Sequence, residues 1–292
     1  ISIGLVGSEM CIRDSVTPPH HYRYSKENED EDMFTSRLAD ELEAMILKEG
    51  PDTIAAFFTE PIMGSGGVIV PPDTYYEKIQ IVLKKYDILL VADEVITAFG
   101  RTGNMFGTTT MKLVPDMIVC AKGLSSAYLP ISALMINERV FKEMSEKSDE
   151  IGVFGLTFTY SGHPVSAKVA IETLKIYEEK NIVEHVRQME PFLLNGLREL
   201  SYHPLVGEIR GKGLLAGVEL VANKKTRKAF DPKIGVGKFC AERAEHHGLI
   251  IRAIGDTISF CPPLIIKENE IALMISLFKK ALDDTLSMTS ES

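Results

Sequence analysis
Two apolar runs in this sequence end on side chains that can do chemistry. Residues 88–91 lead into Asp93-Glu94, and residues 117–121 lead into Lys122-Gly123, about thirty positions further on. An amine of this kind can form a Schiff base with a carbonyl, while a nearby acid keeps a ring nitrogen protonated. Apolar residues followed by Asp-Glu also describe the Walker B acids of an ATPase. That chemistry needs GxxxxGK[ST] to cradle phosphates. The nearest stretch, Gly207-Glu208-Ile209-Arg210-Gly211-Lys212-Gly213, is one residue short and lacks the hydroxyl, so the ATPase reading loses. A lone Lys-Gly after a strand is usually only a helix entry. The pairing of Lys122 with Asp93 therefore carries the argument.

These groups need elements to hold them. Phe34, Leu38, Leu42, Met45 and Ile46 recur at helical spacing, and Gly50-Pro51 stops that helix. Residues 53–58 read as a short buried strand ending at Glu60-Pro61. A glycine-rich loop follows (Gly64, Gly66, Gly67), and then a helix over about 74–86. Strand, helix, strand with short apolar runs predicts an α/β fold: a mostly parallel sheet with flanking helices. Ligands of such sheets bind beyond the carboxyl ends of the strands, which places Glu60, Asp93 and Lys122 around one pocket. Residues 164–200 predict one long helical stretch. Residues 213–220 and 258–266 read as strands of a smaller C-terminal α+β domain. Ile271, Met274, Ile275, Phe278 and Leu282 define a last amphipathic helix.

A bound pyridoxal phosphate needs a lysine, an acid beside its pyridine nitrogen, packing on its ring faces and donors for its phosphate. The segment LLVADEVITAFGRTG, followed by VPDMIVCAKGLSSAYLPISA, resembles the signature of class III aminotransferases, which have the type I fold of pyridoxal-phosphate enzymes. The resemblance runs from about Val16 to the C-terminus. It implies that Lys122 carries the cofactor, that Asp93 pairs with the pyridine nitrogen and that Val95 packs on the ring. Phe158-Thr159-Tyr160-Ser161-Gly162-His163-Pro164 is similar to the family loop whose threonine, here Thr159, reaches the phosphate in the partner of a homodimer. The same stretch also reads as a helix start, with Ser161 capping and Pro164 in the first turn. His163 reads as structural, as does Arg101 in its loop.

Arg252, in LIIRAIGDTISFCPP, matches the family arginine that grips a substrate carboxylate, a task suited to its planar fork. Met63 stands where ornithine- and GABA-type members usually have glutamine, next to the cofactor ring. With Arg252 it points to amine– or β-amino-acid–pyruvate transaminases. Glu60 is a candidate partner for Arg252. The implied reaction moves an amino group from an amine or ω-amino acid to a keto acid such as pyruvate. Lys122 would be its base, a role that enclosure in the site favours. An ornithine- or GABA-type activity is the alternative, and an inactive scaffold is another. The family's upstream phosphate loop and its Tyr-His-Gly segment do not occur at the matching place. No metal site is expected.

The remaining features bound the reading. A net charge of −9 argues against nucleic acid, whose phosphates need clustered Lys and Arg. No apolar run approaches the ~18 residues of a membrane span. The four cysteines are scattered without CxxC spacing, which suits a reducing cytoplasm. Residues 1–15 resemble translated adapter sequence and are read as a foreign leader. Residues 16–190 then form a partial large cofactor-binding domain, and residues 191–292 a small C-terminal domain.

Overall fold
The computed structural model describes residues 14–155 and 158–290, so most of the expected leader, with Cys11, lies outside the described residues. A short helix α1 (His21–Tyr24) precedes α2 (Glu31–Glu49). Asp30 caps α2 by accepting from Met33 N, and Gly50 ends it at φ +93°. Phe34, Leu38, Leu42 and Ile46 are the buried stripe of α2, and the spacing puts them on one face. They pack with Tyr75, Tyr76, Ile79 and Leu83 of α3 (Tyr75–Lys85). Between the two helices comes β1 (Ala56–Thr59). It is later and shorter than the expected 53–58 strand, because residues 51–53 coil into a single 3₁₀ turn after Gly50.

Next come β2 (Leu89–Asp93), the five-residue α4 (Gly107–Met111), β3 (Met117–Cys120), β4 (Ala133–Ile136) and α5 (Glu138–Ile151). Strands β1, β2 and β3 run parallel in that order, and β4 adds antiparallel to β3. Leu90, Val91 and Ala92 of β2 are buried, as a strand covered on both faces requires. Three parallel strands therefore open their carboxyl ends on the same side.

The long helical stretch is two helices, α6 (Pro164–Glu179) and α7 (Ile182–Arg198). The break falls at Asn181, whose backbone is left-handed at φ +50°. Asparagine tolerates that region better than most side chains, and its type carried a signal that the apolar pattern overrode. A second sheet holds β5 (Val206–Lys212), β6 (Leu215–Leu220), β7 (Arg252–Ile254) and β8 (Thr257–Phe260) in the antiparallel order β5-β6-β8-β7. Helices α7, α8 (Val236–His246) and α9 (Glu268–Ser290) share a core with it, including Leu193, Leu197, Val218, Cys240, Phe260 and Phe278. The strand expected at 258–266 stops at Phe260, before Pro262-Pro263. Among the described residues, no helix is long and apolar enough to cross a membrane.

Candidate active site
The register of the parallel strands brings the chemistry together. Thr59 lies beside Ala92, and Asp93 beside Val119, so Glu60, Asp93 and Lys122 emerge from adjacent strand ends. Glu60 feels the charges of both Asp93 and Lys122. Burial pushes its carboxyl above the usual glutamate range, and the Asp93 charge adds to this. The Gly64 amide, donating to Glu60 Oε2 at 2.8 Å, and the Lys122 charge pull the other way.

Asp93 is exposed at the end of β2, and its Oδ1 accepts from Val95 N at 3.0 Å. That contact fixes the carboxylate against the turn that carries Val95. Its neighbour Glu94 behaves oppositely: it is 0% exposed and accepts from Thr97 Oγ1, Gly107 N and Thr108 N. The Asp-Glu pair thus splits into one exposed carboxylate at the strand end and one facing the core. Sequence reasoning singled out the pair without separating these roles. The two threonines and the glycine that meet Glu94 were the available signal.

Lys122 opens a 3₁₀ turn (Lys122–Leu124) directly after β3, with φ +38°. It is exposed. Gly123 lets Phe99 approach, since a Cβ there would sit 3.1 Å from the Phe99 side chain. Tyr177 of α6 closes the turn, donating from its hydroxyl to Gly123 O at 2.8 Å and pairing with Ser126 Oγ at 3.0 Å. Met63 is held in a small bridge with Ile69, each amide donating to the other's carbonyl at 3.0 Å. The bridge folds Gly64–Gly67 into a tight loop. Ile96 packs directly over Gly64, where a Cβ would lie 2.4 Å from Ile96 Cδ1.

Arg252 and Thr159 lie on other elements. Arg252 is exposed at the first residue of the edge strand β7 and borders a cleft of about 950 Å³ lined by Phe230, Lys238, Ile250 and Asp256. No ion pair joins it to Glu60 among the described residues, so the expected pairing is absent here. Thr159 is exposed on the turn before α6. Pro164 does open that helix, but Ser161 is no cap: its hydroxyl accepts from Phe158 N at 3.3 Å, and the capping position is His163. Arg101 is structural as expected, donating to Leu214 O at 2.9 Å and Pro262 O at 2.6 Å, and its burial lowers the pKa of the guanidinium.

The P-loop candidate lies on β5. Arg210 there reaches across to Gly67 O and Val68 O and binds the carboxylates of Glu208 and Glu219. A side chain committed to a carbonyl-and-carboxylate network, on a strand, cannot serve a phosphate loop.

A lysine and an aspartate at the ends of neighbouring parallel strands fit the family that the sequence resembles. Its model, Aminotransferase class-III, matches residues 9–282. The chain belongs to the class-III aminotransferases.

Among curated proteins this class-III chain is 49% identical over 273 residues to gamma aminobutyrate transaminase 3, chloroplastic, of Solanum lycopersicum, covering 94% of the chain and 52% of that relative. It is 50% identical to a probable mitochondrial gamma-aminobutyrate transaminase 3 of Oryza sativa subsp. indica, covering 94% and 54%. Among solved structures, the omega transaminase from Pseudomonas jessenii in complex with PMP superposes with a TM-score of 0.92 at 53% identity, covering 94% of the chain and 60% of that structure. A transaminase with L-ala gives a TM-score of 0.91 at 52% identity, covering 93% and 64%. The chain spans about half the length of the curated relatives it matches. Its fold is that of the type I pyridoxal-phosphate enzymes, and the family is pyridoxal-phosphate dependent.

The residues present fit that cofactor on two counts. The Lys122 amine makes no hydrogen bond or ion pair among the described residues, although its charge is felt by the Glu60 carboxyl. Asp93 Oδ2 is likewise uncommitted, with only Oδ1 engaged. An amine and an acid at adjacent strand ends, neither satisfied by the other, leave a position for a group that binds both.

Proposed function
We propose that the whole enzyme transfers an amino group from an amine or ω-amino acid to a keto acid such as pyruvate, with pyridoxal phosphate held on Lys122. The observation that carries this is the uncommitted Lys122–Asp93 pair on adjacent parallel strand ends. When bound, the cofactor supplies a protonated ring that draws electrons from the substrate carbon bearing the amine. The chain's own residues do the rest. Asp93, with its Oδ2 uncommitted, would hold the proton on the ring nitrogen. Lys122 Nζ would serve as the base that takes the proton from the substrate carbon bearing the amine and would return it to the carbon on the other side of the nitrogen, two bonds away. Val95 and Met63 would pack beside the ring. The Arg252 guanidinium grips a substrate carboxylate bidentately.

The homologues support a second, overlapping reading. The relatives named above as gamma-aminobutyrate transaminases favour a GABA-type donor, which is itself an ω-amino acid. Activity with pyruvate against 2-oxoglutarate separates the two. We read the working form as a homodimer in which Thr159 serves the partner's phosphate site. Cys120, Cys240 and Cys261 are free thiols, which fits a reducing compartment, in our reading the cytoplasm.

Borohydride reduction of the purified chain after incubation with pyridoxal phosphate, followed by peptide mapping, tests the cofactor assignment. A pyridoxyl group placed on Lys122, and lost in Lys122→Ala, is the expected result. Labelling scattered over surface lysines, or none, overturns it.

A further inference from the structure
Glu94 takes no part in the chemistry above, yet it is the most completely enclosed acid near the site. Its carboxylate accepts from Gly107 N at 2.8 Å, Thr108 N at 2.6 Å and Thr97 Oγ1 at 2.5 Å, and no cation pairs with it among the described residues. Two amides and a hydroxyl replace the water it has lost, which is what makes burial of such a group tolerable. Its main chain is tied as well. Glu94 N donates to Val119 O at 2.8 Å, on the strand that leads to Lys122, and Glu94 O accepts from Ala98 N at 3.1 Å.

Residue 94 is therefore a junction. Through its amide it fixes β2 to β3 at the strand ends. Through its carboxylate it closes the loop 94–108. That loop supplies the Val95 amide to Asp93, Ile96 to Gly64, and Phe99 to Gly123 beside Lys122. Asp93 is bonded to this loop directly, and Glu60 and Lys122 meet it through Gly64 and Gly123. Gly107 shows how tight the closure is: a Cβ there would meet Thr97 Cβ at 2.6 Å.

We infer that Glu94 is a positioning residue, which holds the Asp93 carboxylate and the Lys122 amine at the spacing the cofactor requires. This rests on the cofactor reading above, but its structural half can be measured without cofactor. Glu94→Gln keeps the shape but turns an NH₂ group toward one of the three donors. Thr97→Val keeps the carboxylate and removes one bond, so it remains informative if the first variant is poorly folded.

Two readouts are taken on each purified variant: amide hydrogen exchange resolved at Val95, Gly107 and Thr108, and the share of borohydride-trapped pyridoxyl label on Lys122. In Glu94→Gln, exchange at Val95 is expected to quicken about tenfold or more, the scale of one lost hydrogen bond to a charged group. The Lys122 share of label should fall by a similar factor. Thr97→Val should move both in the same direction by less. Faster exchange confined to Gly107 and Thr108, with Val95 and the Lys122 label unchanged, would overturn the inference and leave Glu94 as a cap for α4. If the wild-type chain takes no selective label, the cofactor reading fails, while Val95 exchange still decides for or against Glu94.

Discussion
Lys122 combines a functional side chain with an uncommon backbone. Its φ of +38° lies where residues other than glycine are sparse, and such strain persists only when surrounding contacts hold it. Here the Tyr177 hydroxyl on Gly123 O and the packing of Phe99 do so. Glu60 carries a different tension, between charge and burial. Its pKa is raised above the ordinary glutamate range by burial first and by the Asp93 charge second. The folded chain thus binds this proton more readily than the unfolded chain. That contribution to stability is complete below the unfolded pKa and is lost as pH rises through the folded one. Glu60→Gln keeps an acceptor for Gly64 N and removes the charge. Thermal melts should show it more stable than wild type by about 1–2 °C at pH 7, with the gain gone at pH 4. Equal melting temperatures at pH 7 would refute this account of Glu60.

At the scale of elements, close approach decides more than propensity. Gly213, in the turn from β5 to β6, has φ +59°, and a Cβ there would lie 2.4 Å from Arg101 O. Gly213→Ala should cost about 2–4 kcal/mol, from overpacking and the left-handed backbone together. Urea denaturation measures it, and a cost below about 1 kcal/mol would contradict the packing described. The same strand shows why parts of the fold were illegible in sequence. Residues 206–212 read Val-Gly-Glu-Ile-Arg-Gly-Lys, with two glycines and three charges, and no apolar alternation marks a strand. They pair as β5 because Arg210 neutralises Glu208 and Glu219 in the interior, a compensation visible only once distant segments meet. Asp93 and Lys122 were legible because each follows an apolar run at a strand end, where position implies exposure. The separate fate of Glu94 was not, since its donors Gly107 and Thr108 come back through a loop.

For the whole molecule, the notable surface is apolar. Phe158 is 73% exposed, Tyr160 80% and Tyr128 80%, and Val165, Ile171 and Ile176 continue exposed along α6. Large exposed apolar side chains concentrated on one region mark an interaction face. With Thr159 among them, a second copy of the chain is the partner we expect there. Sedimentation should give a species of twice 32.4 kDa at micromolar concentration. The double substitution Phe158→Glu, Tyr160→Glu should shift it to monomer, because charges buried without partners oppose association. A wild-type monomer at that concentration would argue against this face as a self-interface.

Tyr177 links the two cores. Its ring packs against the cluster of the second sheet and also against the one holding Phe99 and Leu124, while its hydroxyl rests on Gly123 O. Helix α6 carries it, and across the bend at Asn181 helix α7 is built into the second sheet's core. Close-packed interiors have little slack. One aromatic side chain thereby ties the packing of the small sheet to the peptide unit next to Lys122.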